Sequence, residues 1–192
     1  GEGEKGKLGY GKTVDKTSPQ KVGLPSGRDA VDISAGGYHS CAVLDNGSAM
    51  CWGDGHLGRL GNGQGFGDQE RGTFASPQWV PHLNGSKLKS ISAGLQHTCG
   101  ILENDSAVCW GYNEQSLLGG LGLDYPFAGI SHVAGSETVG VAAISSGQST
   151  VCAILLDGRV KCWGGGSNGQ IGDFGLQEDS IAAGFPHSGN GG

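Results

Sequence analysis

What most constrains this chain is a stretch that it writes three times. Counting from Ile33, glycine stands at +3, cysteine at +8 and +18, Trp-Gly at +19 and +20, and Leu-Gly at +27 and +28. From Ile91 the same offsets give Gly94, Cys99, Cys109, Trp110-Gly111 and Leu118-Gly119. From Ile144 they give Gly147, Cys152, Cys162, Trp163-Gly164 and, with one conservative change, Ile171-Gly172. Agreement at this many spaced positions makes the repeat the architectural unit.

The segment between the paired cysteines predicts a hairpin. If Cys41 faces Cys51, then Val43 faces Ala49 and Leu44 faces Ser48, leaving Asp45-Asn46-Gly47 as a three-residue loop with glycine at its left-handed position. The third copy repeats this with Leu156-Asp157-Gly158, and the second uses Glu103-Asn104-Asp105, where aspartate is a tolerated substitute. Alternation sends Cys41, Val43, Ala49 and Cys51 to one face and Ala42, Leu44, Met50 and Trp52 to the other. Both faces are apolar, so the sheet is expected to be buried on both sides, as in a propeller blade stacked between neighbours. Upstream, Val31 to Ala35 reads as the preceding strand, and Pro-x-x-Val recurs at Pro19 to Val22 and Pro77 to Val80.

The pattern I-x-x-G-x-x-H-S/T-x-x-x-L-x-x-x-G-x-x-x-x-W-G, followed by G-x-L/I-G-x-G, resembles the repeat of the regulator of chromosome condensation family. That resemblance runs over nearly the whole chain and implies an all-β fold, a β-propeller of about seven blades, of which this sequence holds about three complete blades plus partial ones. Residues 1–30 read as the tail of a preceding repeat and a linker, 31–83, 84–140 and 141–178 as three repeats, and 179–192 as the start of a further one. Gly1 to Gly9 align with Gly53 to Gly61, and Ile181 to Ser188 with Ile33 to Ser40. A full ring needs about twice this length, so the expectation is a fragment of a longer, disulfide-containing polypeptide.

Six cysteines admit many pairings, but the shared C-x9-C spacing across a hairpin selects Cys41–Cys51, Cys99–Cys109 and Cys152–Cys162. Three such bridges imply an oxidising compartment, extracellular or lumenal. Free buried thiols are the plain alternative. Zinc held with His39 and His97 is a third reading, but the spacing is wrong for it and the third copy has Thr150 in place of histidine. Three sequons, at Asn46, Asn84 and Asn104, are candidate glycan attachment sites in keeping with that compartment. Asn-Gly is also ordinary turn chemistry.

Other signals look chemical and are discounted. G-x-G-x-x-G occurs at Gly1, Gly53 and Gly164, each after a strand, yet no helix is expected to open on the third glycine, so dinucleotide binding is not expected. His39, His97 and His187 share one register and are read as structural hydrogen-bonding groups. The tryptophans Trp52, Trp110 and Trp163 are read as blade packing. Trp79, outside that register, is read first as core and second as an exposed anchor. A net charge of −6 argues against nucleic acid, and no apolar run is long enough for membrane insertion. No cofactor, metal or catalytic constellation is expected.

Members of the family that this sequence resembles act as exchange factors for a small GTPase, as an ultraviolet photoreceptor, as a secreted enzyme inhibitor and, most often, as protein-binding scaffolds. The cysteines argue against the exchange factor, and the absence of Gly-Trp-Arg segments argues against the photoreceptor. The expectation is a non-catalytic interaction or structural propeller whose partners are proteins or copies of itself. The variable linkers Asn62 to Ser76 and Gly120 to Gly140 should carry the contacts, with Phe66, Trp79, Tyr125 and Phe127 as the candidate anchors. An intracellular exchange factor or regulatory propeller is the alternative, and a secreted enzyme inhibitor the second alternative.

Overall fold

The structure, a computed structural model, describes residues 1–64, 72–83, 85–113, 116–120, 127–133, 135–166 and 168–172. Each copy is built on its cysteine hairpin. Strands β2 (His39–Leu44) and β3 (Ala49–Asp54) pair antiparallel with Cys41 opposite Cys51 and Val43 opposite Ala49. The loop closes through Leu44 N–H to Ser48 O at 2.8 Å, and Gly47 carries a φ of +80°, a conformation that costs glycine little. At the same turn position Asp105 (φ +68°) and Gly158 (φ +85°) do likewise.

An inner strand and an outer strand flank this hairpin. Strand β1 (Ala30–Ala35) pairs with β2, and β4 (Thr73–Trp79) with β3, giving a sheet in the order β1-β2-β3-β4. The second copy repeats this order with β5 (Leu88–Ala93), β6 (His97–Leu102), β7 (Ala107–Tyr112) and β8 (Phe127–His132). The third has β9 (Val141–Ser146), β10 (Thr150–Leu155) and β11 (Val160–Gly164) among its described residues. Strands β4 and β8 begin inside what sequence reading treats as linkers. Pro77 lies in β4, at the sheet edge, where a missing N–H costs no ladder bond.

The sheets stack face to face. Cys41, Val43, Ala49 and Cys51 of the first meet Leu60, Val80, Leu83, Leu88, Ile91, Val108 and Trp110 associated with the second. Cys99, Ile101, Ala107 and Cys109 of the second meet Leu118, Val141, Val151, Ala153 and Trp163 in the third. The cysteine face of one blade therefore packs on the tryptophan face of the next, and each seam is the hydrophobic core that a lone blade cannot make.

Candidate interaction surfaces

The seams are polar as well as apolar, and their polar bonds follow the repeat. The Trp52 indole donates to Lys7 O at 3.0 Å, Trp110 to Arg59 O at 3.1 Å and Trp163 to Leu117 O at 3.0 Å. Lys7, Arg59 and Leu117 hold equivalent places in the leading partial repeat, the first copy and the second copy, so every hairpin tryptophan latches onto the backbone of the segment before it. The same carbonyls accept the hydroxyls of Ser40 (3.0 Å to Lys7 O) and Thr98 (2.8 Å to Arg59 O). Nearer the axis, Ser34 Oγ accepts Ala93 N–H at 2.9 Å, and Ser92 Oγ accepts Ser146 N–H at 2.8 Å. Satisfying backbone groups across a seam fixes its register as well as its spacing.

The histidines diverge at one substitution. His39 is buried and its Nε2 lies 2.7 Å from Thr98 Oγ1; because that hydroxyl donates to Arg59 O, the histidine is the donor. At the position of Thr98 the third blade has Val151, and His97, equally buried, has no hydrogen-bond partner among the described residues. Burial pushes the His39 pKa down to about 3, with Arg59 and then His97 adding to the effect, and burial alone pushes His97 to about 4. Both rings are neutral at pH 7. We expect Val151→Thr to supply the missing acceptor and raise stability by about 1 kcal/mol, an unusual sign for a buried Val→Thr change. Urea denaturation checks it, and the gain should vanish in a His97→Leu background.

At one end of the stack the turns that join inner strands to hairpins converge on a recess of about 300 Å3, lined in part by Gly36, Gly37, Gly94, Leu95, Gly147 and Gln148. The turns are tied to one another: Gly37 N–H donates to Gly94 O at 3.1 Å and Leu95 N–H to Gly147 O at 3.2 Å. A Cβ on Gly36 would lie 2.2 Å from Gly94 O, so this approach admits only glycine. Tyr38, 41% exposed, stands beside the recess. Its ring lies 5.4 Å from the guanidinium carbon of Arg59, which is buried and donates to His56 O at 2.6 Å. Burial lowers the Arg59 pKa, and nearby Asp54 opposes that shift. The connections from β3 to β4 and from β7 to β8 leave and re-enter their sheets at this same end, where Asp54 pairs with Thr73 and Tyr112 with Phe127.

Near the hairpin tip of the first blade lies a second concavity, a cleft of about 570 Å3. It is lined by Asn46, Gly47, Ser48, Trp79, Val80, Pro81, Leu83, Gly85, Ser86 and Lys87. Trp79 is 48% exposed, which overturns the core reading of it, whereas Trp52, Trp110 and Trp163 are each at most 2% exposed. Period alone could not place Trp79, because the recurring Pro-x-x-Val motif around it has lysine, Lys21, at the equivalent position.

The structure places the remaining sequence candidates unevenly. Cys41 is bonded to Cys51, Cys99 to Cys109 and Cys152 to Cys162, and no described cysteine is free. Asn46 and Asn104 sit in hairpin loops, each with its Oδ1 accepting the N–H of the serine two residues on, at 3.1 Å. Asn84, Phe66, Tyr125 and His187 lie outside the described residues, and for Phe127 only the backbone is described, in β8. Gly6 and Gly58 each close a three-residue 3-10 turn, Glu4–Gly6 and His56–Gly58, so neither of these two glycine-rich matches opens an α-helix. Among the described residues no three metal-ligating side chains cluster, and no helix is long and apolar enough to cross a membrane. Arg59, at the crossing of seam and rim, escaped the sequence reading because the repeat places Lys7 and Leu117 at its position.

Comparison with known proteins agrees with this geometry. A family model described as the regulator of chromosome condensation (RCC1) repeat matches residues 1–43 and 46–101, and a second model of the same description matches 30–59, 88–116 and 141–170. The ultraviolet-B receptor UVR8 of Arabidopsis thaliana is 28% identical over 172 residues, which is 90% of this chain and 38% of the receptor. The crystal structure of human WBSCR16 superposes with a TM-score of 0.76 at 20% identity, covering 88% of this chain and 43% of that one. Yeast RCC1 (Prp20), solved bound to Kap60, superposes with a TM-score of 0.58 at 18% identity over 73% of this chain and 33% of its own. The chain thus spans less than half the length of each of these relatives. With its three antiparallel sheets stacked in repeat register, the chain belongs to the regulator of chromosome condensation (RCC1) repeat family and is part of a β-propeller.

Proposed function

We propose that this chain is a non-catalytic, protein-binding part of a propeller, held rigid by its seams and exposed to an oxidising compartment outside the cytosol. The observation that carries the binding role is the rim. Tyr38 is presented on the buried Arg59 guanidinium beside a glycine-lined recess, and the least repetitive connections of the chain emerge at that end. An exposed aromatic side chain with little freedom left to lose is well suited to anchor a partner. Proteins of this repeat family bind other proteins, as yeast RCC1 binds Kap60, and that habit supports a protein partner here. Contacts from Phe66, Tyr125 and Phe127 belong to the same proposal, since the strand ends that bound these connections, Asp54 with Thr73 and Tyr112 with Phe127, lie at this rim.

The compartment rests on the cysteines. All six are paired within their own hairpins, and in a reducing cytosol such pairs stay open. For the rim, a photocrosslinking side chain at Tyr38 should trap a discrete protein partner in the native source. The same group at Asp157, in the hairpin loop of the third blade, should not. Equal labelling from both positions would count against the rim as the binding face.

A further inference from the structure

The exposed Trp79 and the Asn46 sequon line one cleft, and we infer that the cleft is built for the first sugar of an N-linked glycan carried by Asn46. The occupant is specified by the cleft itself, because the asparagine that would carry the sugar is part of its wall. Asn46 Oδ1 is held by the Ser48 N–H at 3.1 Å, and among the described residues its Nδ2 has no hydrogen-bond partner. The acceptor nitrogen is therefore uncommitted, while the side chain is oriented by its own turn. Gly47 supplies the left-handed corner that sets this orientation, with a φ of +80°.

The chemistry of the wall suits a pyranose. Trp79, Val80, Pro81 and Leu83 offer apolar surface, and an indole face packs well against the C–H face of a sugar ring. Ser48, Ser86 and Lys87 offer hydroxyl and ammonium groups to its hydroxyl and acetamide oxygens. At about 570 Å3 the cleft falls within the roughly 300–1,000 Å3 of small-molecule sites. Asn104 has the same turn but a different setting. Its Oδ1 also accepts the Ser106 hydroxyl at 2.7 Å, and it lies outside this cleft.

The modification balances as an ordinary glycosyl transfer. Asn46 Nδ2 bonds to the anomeric carbon of a lipid-linked oligosaccharide diphosphate, the anomeric C–O bond breaks, the lipid diphosphate leaves, and one amide proton is lost to base. The inference rests on the oxidising-compartment reading, because such donors are used in the secretory lumen.

Fluorescence isolates the effect, since Trp79 is exposed while the other three tryptophans are buried. The chain is produced through a eukaryotic secretory pathway, Asn46 occupancy is read by peptide mapping, and acrylamide quenching is measured in three states. These are the intact glycoprotein, the product of an endoglycosidase that leaves one N-acetylglucosamine, and the product of an amidase that removes the whole glycan. We expect the first two to quench alike and the third roughly twofold more strongly, because only the last step uncovers the indole. Trp79→Phe should abolish the difference, and Asn46→Gln should quench like the fully deglycosylated chain. An unmodified Asn46, or equal quenching in all three states, overturns the inference. Whether the compartment reading falls with it is decided separately, by the pairing of the cysteines.

Discussion

Trp110→Ala lowers the stability of the chain by about 3–5 kcal/mol, the range for emptying a large aromatic site in a packed core. Trp110 is 1% exposed and lies in the seam between the first two sheets, against the Cys41–Cys51 face. The deletion also strips Arg59 O of its 3.1 Å bond, leaving it only the Thr98 hydroxyl. Since domains are stable by only about 5–15 kcal/mol, this one change removes a large share of the total. Trp110→Phe keeps most of the apolar contact and loses the bond, at a cost of about 1–2 kcal/mol. Chemical denaturation of the two variants separates packing from latching. A Trp110→Ala effect below about 1 kcal/mol would mean that the seam bears little of the fold.

Acid unfolds the protein through its two buried histidines. His39 and His97 have folded pKa values of about 3 and about 4, against roughly 6.5 for an unfolded histidine. The unfolded chain therefore binds more protons between these limits, so the contribution is fully present above pH 6.5 and is lost as pH falls toward 4 and then 3. With both groups titrating, the slope approaches about 3 kcal/mol per pH unit, and the loss by pH 4 is on the order of 5 kcal/mol. Equilibrium unfolding from pH 7.5 to 4 measures this directly, and His39→Gln should roughly halve the slope. A stability flat across that range would show that neither ring is held neutral by burial.

Local chemistry that repeats was legible before any coordinates. The C-x9-C spacing and the Asp45-Asn46-Gly47 triplet point independently to one hairpin register, and the structure has that register, with Cys41 opposite Cys51 and Gly47 left-handed. The two apolar faces implied blades buried on both sides, and the seams bury both faces of the second blade, whereas the cysteine face of the third is open, with Ile154 46% and Val160 66% exposed. What repeats across space was less visible. The bond from Trp110 to Arg59 O joins residues 51 apart, and nothing in the identity of residue 59 announces it because the acceptor is backbone. His39 was read as a structural hydrogen-bonding group, and it is one; His97 shares its register but lost its partner to a single substitution, Val151, in the next copy.

The surfaces were legible only in outline. Sequence reading put the contacts in the variable linkers, but those linkers also contain β4 and β8, whose period-2 pattern is too short and too interrupted by proline and glycine to stand out. Trp79 was expected in the core and is half exposed, because it ends an edge strand beside a hairpin tip rather than facing the next blade. Tyr38 and Arg59 drew no notice at all. Their pairing depends on the turn after β1 meeting the 3-10 turn after β3, a contact that no spacing rule encodes.

The account stands most directly on the sulfurs. A non-reducing peptide map of the protein from its native source should give Cys41 linked to Cys51, Cys99 to Cys109 and Cys152 to Cys162, with each pair gaining two hydrogens on reduction. Free thiols at these positions would contradict the oxidising compartment, and a sulfur of one hairpin linked to that of another would contradict the blades themselves.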